Sequence, residues 1–451
     1  MRGLRSTIAL IAVLIGLCAY IYFVTSNAPP AGSDGPKDHL FVALDAETID
    51  EIKIRSESGE STSLKKDGGV WQMTAPLAVK ANPTDIGSIT TNLSTLEVAR
   101  VVDENAADLK EYGLDAPRVE VEFKASGDQA YGEVHRLFIG GQSPTGGHVF
   151  ARRDAEKRVV LIPAHTETIF NRSTFDLRDK TLLAIDRETI DRIAATADGT
   201  TLELARDGTG WKLTRPTAAI ADPSAADTLL GLVQGAAMKS IAAEQATPAD
   251  LKEYGFDRPQ GTLTLHTGST TASLVFGGDA TDTDVFVRDT SKPLVATTER
   301  SLLEALRKAP ADYRRRTVFG FSRYSTDRLE FTRDGQAVVL EKVKSQDLTP
   351  DKWRRVSPNA GEPDAMHVDD LLTRLEGLRA TAFLDSTAGT GVDKPTLLVH
   401  SSFEGGTRED RVSFGRSGTK VFAVIAGQPG AAEVPAAEFD EAIKALDLMS
   451  K

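Results

Sequence analysis

Trp71-Gln72-Met73-Thr74-Ala75-Pro76, Trp211-Lys212-Leu213-Thr214-Arg215-Pro216 and Trp353-Arg354-Arg355-Val356-Ser357-Pro358 hold all three tryptophans of this 451-residue chain. Each tryptophan is followed at the same distance by a proline, and successive copies lie 140 and 142 residues apart. A long fixed period marks a tandem repeat, and it governs how every other motif is read. Downstream of the first two tryptophans, Leu109-Lys110-Glu111-Tyr112-Gly113-Leu114-Asp115-Ala116-Pro117 matches Leu251-Lys252-Glu253-Tyr254-Gly255-Phe256-Asp257-Arg258-Pro259, and Gly391-Val392-Asp393-Lys394-Pro395 keeps its end. Leu137-Phe138-Ile139-Gly140-Gly141, Leu274-Val275-Phe276-Gly277-Gly278 and Val412-Ser413-Phe414-Gly415 come next in the three copies. Val149-Phe150-Ala151, Val285-Phe286-Val287 and Val421-Phe422-Ala423 then follow. Upstream, Leu44-Asp45-Ala46-Glu47-Thr48-Ile49-Asp50 resembles Ile185-Asp186-Arg187-Glu188-Thr189-Ile190-Asp191, with Ser325-Thr326-Asp327-Arg328-Leu329 as a degenerate third. Landmarks repeated three times in one order imply three diverged modules, over residues 40–180, 181–317 and 318–451.

Periodicity supplies the local structure of one copy. Residues 49–54 alternate in part and read as a strand, and residues 61–66 and 70–74 flank Asp67-Gly68-Gly69, a hairpin signal. Pro83 opens a stretch in which Ile86, Ile89, Leu93 and Leu96 recur at helical spacing, as Val368, Leu371, Leu375 and Leu378 do in the third copy. Residues 118–123 and 262–266 alternate strictly, so a half-buried sheet resumes after the helix. Residues 299–308 and 437–446 predict a closing helix. The fold class expected is α+β, each module a mainly antiparallel sheet with covering helices.

The N-terminus has a different character. Arg2 and Arg5 precede a charge-free run over residues 7–24, long enough as a helix to cross nearly all of a hydrocarbon layer about 30 Å thick. The arginines favour the cytoplasmic side, and Tyr20, Tyr22 and Phe23 suit the far interface. The expected order is therefore a cytoplasmic stub over 1–6, a transmembrane helix over 7–24 and an extended Pro- and Gly-containing linker over 25–39, with the modules outside the cytoplasm. A cleaved secretory signal is the rival reading, since Ser26-Asn27-Ala28 offers small residues, but Pro29 would follow the cut and the apolar run is long for a signal core. Acylation at Cys18 is disfavoured by Leu17 before it.

Composition narrows the chemistry. Acidic residues outnumber basic ones 65 to 53, giving a net charge of −12, which excludes a nucleic-acid partner of the usual basic kind. Cys18 is the only cysteine, so the modules hold neither an internal disulfide nor a thiolate zinc site. The seven histidines form no pair at helical spacing, and the Gly-Gly pairs lack phosphate-loop spacing and read as turns. No catalytic, cofactor-binding or metal-ligating residue is assigned. Gly113 and Gly255 suit left-handed helix ends, Tyr112 and Tyr254 suit amphipathic covers, and the tryptophans after a hairpin turn suit core anchors more than ligand platforms. Arg314-Arg315-Arg316 aligns with Arg178-Asp179-Lys180 and reads as a solvated linker between copies.

The anchor, the Trp-to-Pro element and above all residues 109–117 resemble a bacterial family described as domain of unknown function 4340. The resemblance covers most of the chain, and the third copy departs from it by lacking the tyrosine. It implies an inner-membrane protein facing the periplasm, often encoded beside ABC transporter components similar to those of gliding motility, and it brings no catalytic residues. The function expected is a non-enzymatic accessory subunit acting with an ABC-type permease and ATPase complex. The alternative is a module binding envelope polymers such as glycan or peptidoglycan, and a hydrolase in a cleft between modules is a third class. The sequence does not identify a small-molecule ligand.

Overall fold

Strict alternation in Ile52-Lys53-Ile54 and in Val119-Glu120-Val121-Glu122-Phe123 puts every second side chain into a core and every other one into water. A computed structural model, which describes residues 38–127, 130–345 and 351–450, places these stretches side by side as neighbouring antiparallel strands. The first sheet comprises β1 (Glu51–Arg55), β2 (Ser61–Asp67), β3 (Val70–Ala75), β4 (Val79–Lys80), β5 (Arg100–Asp103), β6 (Val119–Lys124), β7 (His135–Gln142), β8 (His148–Arg153) and β9 (Val159–Pro163). Their spatial order is β4-β3-β2-β1-β6-β7-β8-β9-β5.

That order requires two crossings. Helix α1 (Pro83–Ser94) carries the chain from β4 at one edge towards β5 at the other, and residues 104–118 return it to the middle of the sheet. Asn82 caps α1 by accepting from the Thr84 and Asp85 amides, and Pro83 occupies the first turn, where its missing N–H costs nothing. The helix lays Ile86, Ile89 and Leu93 on the face formed by Ile52, Ile54, Val121, Leu137 and Ile139, while Leu96, expected on the same stripe, is buried just beyond its end. Two short helices, α2 (Ala164–Phe170) and α3 (Thr174–Leu177), close the copy.

The second sheet repeats the plan. Its strands are β10 (Arg192–Ala197), β11 (Thr200–Asp207), β12 (Gly210–Arg215), β13 (Ala219–Ile220), β14 (Ser240–Ala243), β15 (Gly261–Thr267), β16 (Thr270–Asp279), β17 (Asp284–Asp289) and β18 (Val295–Glu299), in the order β13-β12-β11-β10-β15-β16-β17-β18-β14. Helices α4 (Pro223–Gly235), α5 (Pro248–Glu253) and α6 (Ser301–Leu306) accompany it. The third sheet has eight strands: β19 (Thr326–Arg333), β20 (Gln336–Val343), β21 (Lys352–Ser357), β22 (Ala382–Leu384), β23 (Leu397–Phe403), β24 (Arg408–Ser417), β25 (Lys420–Ile425) and β26 (Ala431–Val434). They run in the order β21-β20-β19-β23-β24-β25-β26-β22, with helices α7 (Ala365–Gly377) and α8 (Ala436–Ser450).

The third sheet lacks a counterpart of β4 and β13 for a chemical reason. In the first two copies the amides of Ala81 and Ala221 donate to the carbonyls of Trp71 and Trp211. The corresponding residue of the third copy is Pro363, which has no N–H, so pairing there shrinks to the single bridge between Arg355 and Gly361. Every strand pairing in the three sheets is antiparallel, and the fold is α+β with repeated sheets, as the periodicity predicts. The described chain falls into two compact units that divide between Asp179 and Lys180, the second holding both the second and third sheets. The expected stub, membrane helix and nearly all of the linker lie outside the described residues. Among those described, no helix is long and apolar enough to cross a membrane.

Candidate functional site

The Tyr-Gly motif is a packing device. Gly113 ends a turn of 3-10 helix at φ 66°, a left-handed conformation that glycine adopts without a Cβ clash. The turn lies across Gly140-Gly141, and a Cβ on Gly140 would stand 2.3 Å from the Tyr112 carbonyl oxygen. The second copy is the same, with a Cβ on Gly277 2.3 Å from the Tyr254 oxygen and the Gly278 amide donating to that oxygen at 2.7 Å. These pairs were expected to be turns; they sit within β7 and β16, where the register slips at a bulge. Backbone laid directly on backbone leaves no room for a side chain. Tyr112 then covers Phe150 at 5.1 Å between ring centroids, and with Leu114, Val159 and Phe138 it forms a small second core on the sheet face away from α1. In the third copy Gly391 and Gly415 make the same approach, although Arg416 replaces the second glycine and no tyrosine is present.

Two of the three tryptophans are core residues. Trp71 is 8% exposed and Trp211 4%, and the Arg206 guanidinium lies 4.3 Å over the Trp211 ring. Neither can stack on a ligand. Trp353 differs: β21 buries none of its residues, Trp353 is half-buried, and Lys342 Nζ sits 5.3 Å from its ring centroid.

Arg314 and Arg315 depart from the reading of a solvated linker, while Arg316 is exposed as that reading has it. Arg314 is only 7% exposed, its guanidinium lies 4.0 Å over Phe383, and it donates to the Pro429 carbonyl at 3.2 Å. Removal from water pulls the Arg314 and Arg315 pKa values below the ordinary guanidinium range. Arg178, its counterpart, is also buried. The backbone explains why. Asp222 N–H donates to Tyr313 O and Arg315 N–H to Ile220 O, so residues 313–315 add a short strand to the outer edge of the second sheet. One step later, Ala380 N–H donates to Arg316 O and Val318 N–H to Leu378 O, so the same strap pairs with the segment entering β22. In the first copy, Asn82 N–H to Leu177 O and Asp179 N–H to Lys80 O repeat the edge-covering half. Met238 N–H to Lys180 O repeats the entering half for the second copy, and Leu40 N–H to Leu96 O with Val98 N–H to Asp38 O repeats it for the first.

Ionisable groups elsewhere are engaged in clamps. Arg118 lies 2.9 Å from both Glu57 and Glu167, joining the β1–β2 turn to α2. Burial pushes the Glu167 carboxyl up against the opposing pull of Arg118, whereas the Arg118 hydrogen bond and charge hold Glu57 below the usual carboxylate range. The second copy builds the clamp with reversed polarity: Arg307 at the end of α6 reaches Asp198 at 3.0 Å and Gln260 at 2.7 Å. Among the described residues no three His, Cys, Asp or Glu side chains gather so as to hold a metal. A depression of about 220 Å³ on the outer face of β1, β2 and β6 is lined by charges of both signs, including the Lys65–Glu51 pair at 2.8 Å. The space where the strap meets Phe383 and Pro429 is about 10 Å³, room for roughly one water and not for a substrate.

A family model described as Domain of unknown function (DUF4340) matches residues 71–232 and again 211–398, together most of the chain. The chain belongs to the DUF4340 family. Both DUF4340 matches begin at a repeat tryptophan, Trp71 and Trp211, and each runs past the strap into the next copy. Comparison with curated proteins gave no match.

Proposed function

We propose that this DUF4340 protein is a non-enzymatic accessory subunit, held in the bacterial inner membrane by residues 7–24 with its sheets in the periplasm, where it acts with an ABC-type transporter complex. The observation that carries this reading is the strap. It covers open sheet edges with arginine-bearing extended segments and passes from one copy to the next, a use of exposed edges suited to engaging extended segments of partner proteins. The run of charge-free residues after Arg2 and Arg5 supports the anchor. Affinity purification of the full chain from native membranes in mild detergent is expected to recover permease and ATPase subunits; their repeated absence overturns the proposal. Trp353 alone favours the second reading, envelope glycan or peptidoglycan binding, because its indole is not fully buried. Retention on immobilised peptidoglycan that Trp353→Ala reduces at least tenfold would support that reading, and unchanged retention would remove it.

A further inference from the structure

Two of the three sheets end on a covered edge, and among the described residues the third has no such cover. The strap uses four groups in each covered copy: the carbonyl of Lys80 or Ile220, the amide of Asn82 or Asp222, and their strap partners at 177 and 179 or 313 and 315. Counting from the shared Trp-to-Pro element, the equivalents in the third copy are the Glu362 carbonyl and the Asp364 amide. Neither has a backbone partner among the described residues. Pro363 between them does not block this edge. The N–H it lacks is the one that Ala81 and Ala221 direct inward to tryptophan carbonyls, so the outward donor and acceptor survive. The side chains differ as well: Glu362 and Asp364 are both exposed, where the first copy has Lys80 and Asn82 and the second has Ile220 and Asp222. Each strap carries arginine at its central pairing position, Arg178 in one and Arg314 in the other, with Asp179 and Lys180 following in the first and Arg315 and Arg316 in the second.

We propose that the outer edge of the third sheet at Gly361–Asp364 is a strand-addition site for an extended, arginine-bearing segment of a partner protein, which pairs antiparallel with it as the straps pair with the first two sheets. The pairing supplies backbone hydrogen bonds, and the two carboxylates select a basic segment. Arg314 of the second strap also reaches onward over Phe383 of the third sheet, so an arginine on a docked segment has a precedent for use beyond the edge itself. The inference rests on reading the chain as an interaction subunit and adds where the partner binds and what it carries.

The test uses the purified full chain and a fluorescent peptide with the sequence of residues 311–318. Three peptides are compared by anisotropy: unmodified, scrambled, and N-methylated at the position of Arg315, whose N–H makes the edge bond in the second copy. Expected are saturable binding of the unmodified peptide at one site per chain, at least tenfold weaker binding of the other two, and at least tenfold weakening by Glu362→Lys. Hydrogen exchange should slow at the Asp364 amide on binding, and not at Asn82 or Asp222. Absence of saturable binding, equal binding of the N-methylated peptide, or protection confined to another segment overturns the proposal. The titration contains no transporter, so its failure leaves the copurification experiment to decide the proposed function separately.

Discussion

A single missing methyl group separates the two roles glycine plays in this chain. At Gly140 an added Cβ would stand 2.3 Å from the Tyr112 oxygen and 3.0 Å from Leu114, so alanine must push the crossing segment off the sheet. Gly140→Ala is expected to destabilise the first unit by about 1–3 kcal/mol, the range for overpacked sites. Gly87, inside α1, has nothing within 4 Å, and Gly87→Ala is expected to stabilise by about 0.5–1 kcal/mol through helix propensity. Urea melts of the two variants should therefore move in opposite directions, and a shared direction would contradict the backbone contact. The tryptophans divide in the same manner. Trp211 is buried, so Trp211→Ala should cost about 3–5 kcal/mol, while Trp353→Ala, at a half-buried edge position, should cost less than half as much. Equal losses in chemical denaturation would mean that Trp353 is as much a core residue as its counterparts. Sequence alone made Trp71, Trp211 and Gly113 legible, because their reasons are local, a hairpin turn before the tryptophans and a helix end before the glycine, whereas it did not set the half-buried Trp353 apart. The Gly140-Gly141 pair was misread as a turn because its reason is a segment more than twenty residues away.

At the scale of the element, the repeat disclosed the strap's position but not its character. Arg314-Arg315-Arg316 looks solvated when judged by composition, since adjacent arginines are seldom buried. Arg316 is exposed, but burial of Arg314 is tolerated because the flanking backbone pairs on both sides and its guanidinium finds both an aromatic face and a carbonyl. Arginine at the aligned position of the earlier strap, Arg178, was the available signal. Tyr313 begins the second strap, is buried, and donates to Ala305 O at 3.0 Å; burial pushes its phenol up to about 12. The sign follows from linkage. The folded value lies above the unfolded value of about 10, so this contribution is complete below about pH 10 and disappears as pH rises through about 12. It is worth on the order of 2–3 kcal/mol. Alkaline unfolding of the second unit should fall in that window, and Tyr313→Phe, which costs about 1 kcal/mol at neutral pH for the lost hydrogen bond, should flatten the pH dependence. An unaltered alkaline profile in Tyr313→Phe would assign the transition to another group. On the acid side, Glu57→Gln should lower the melting temperature at pH 7. Glu57 is held below its ordinary value, so that effect should vanish as pH falls through the folded pKa, when the native carboxylate is itself protonated.

For the whole molecule, period and landmarks were enough to foresee three sheets, because each must bury one face and the buried positions recur in order. They could not foresee that the second and third sheets share one compact unit, within which Arg314 of the strap meets Phe383 and Pro429 some 70 to 115 residues further along the chain. The division between Asp179 and Lys180 makes a sharp prediction about where the chain can be cut. Residues 177–179 pair with 80–82 in the first unit, while residues 180–182 pair with 236–238 in the second. A fragment of residues 38–179 keeps Leu177 in its core and a strand over its edge, and a fragment ending at residue 176 loses both. The longer fragment is expected to unfold cooperatively and stay monomeric. The shorter one should melt at a lower temperature and self-associate, since an exposed sheet edge pairs readily with another chain. Calorimetry and sedimentation of the two fragments decide the matter: if three residues make no difference to either property, the strap is only a connector, and the case for strand addition at the third edge loses its precedent.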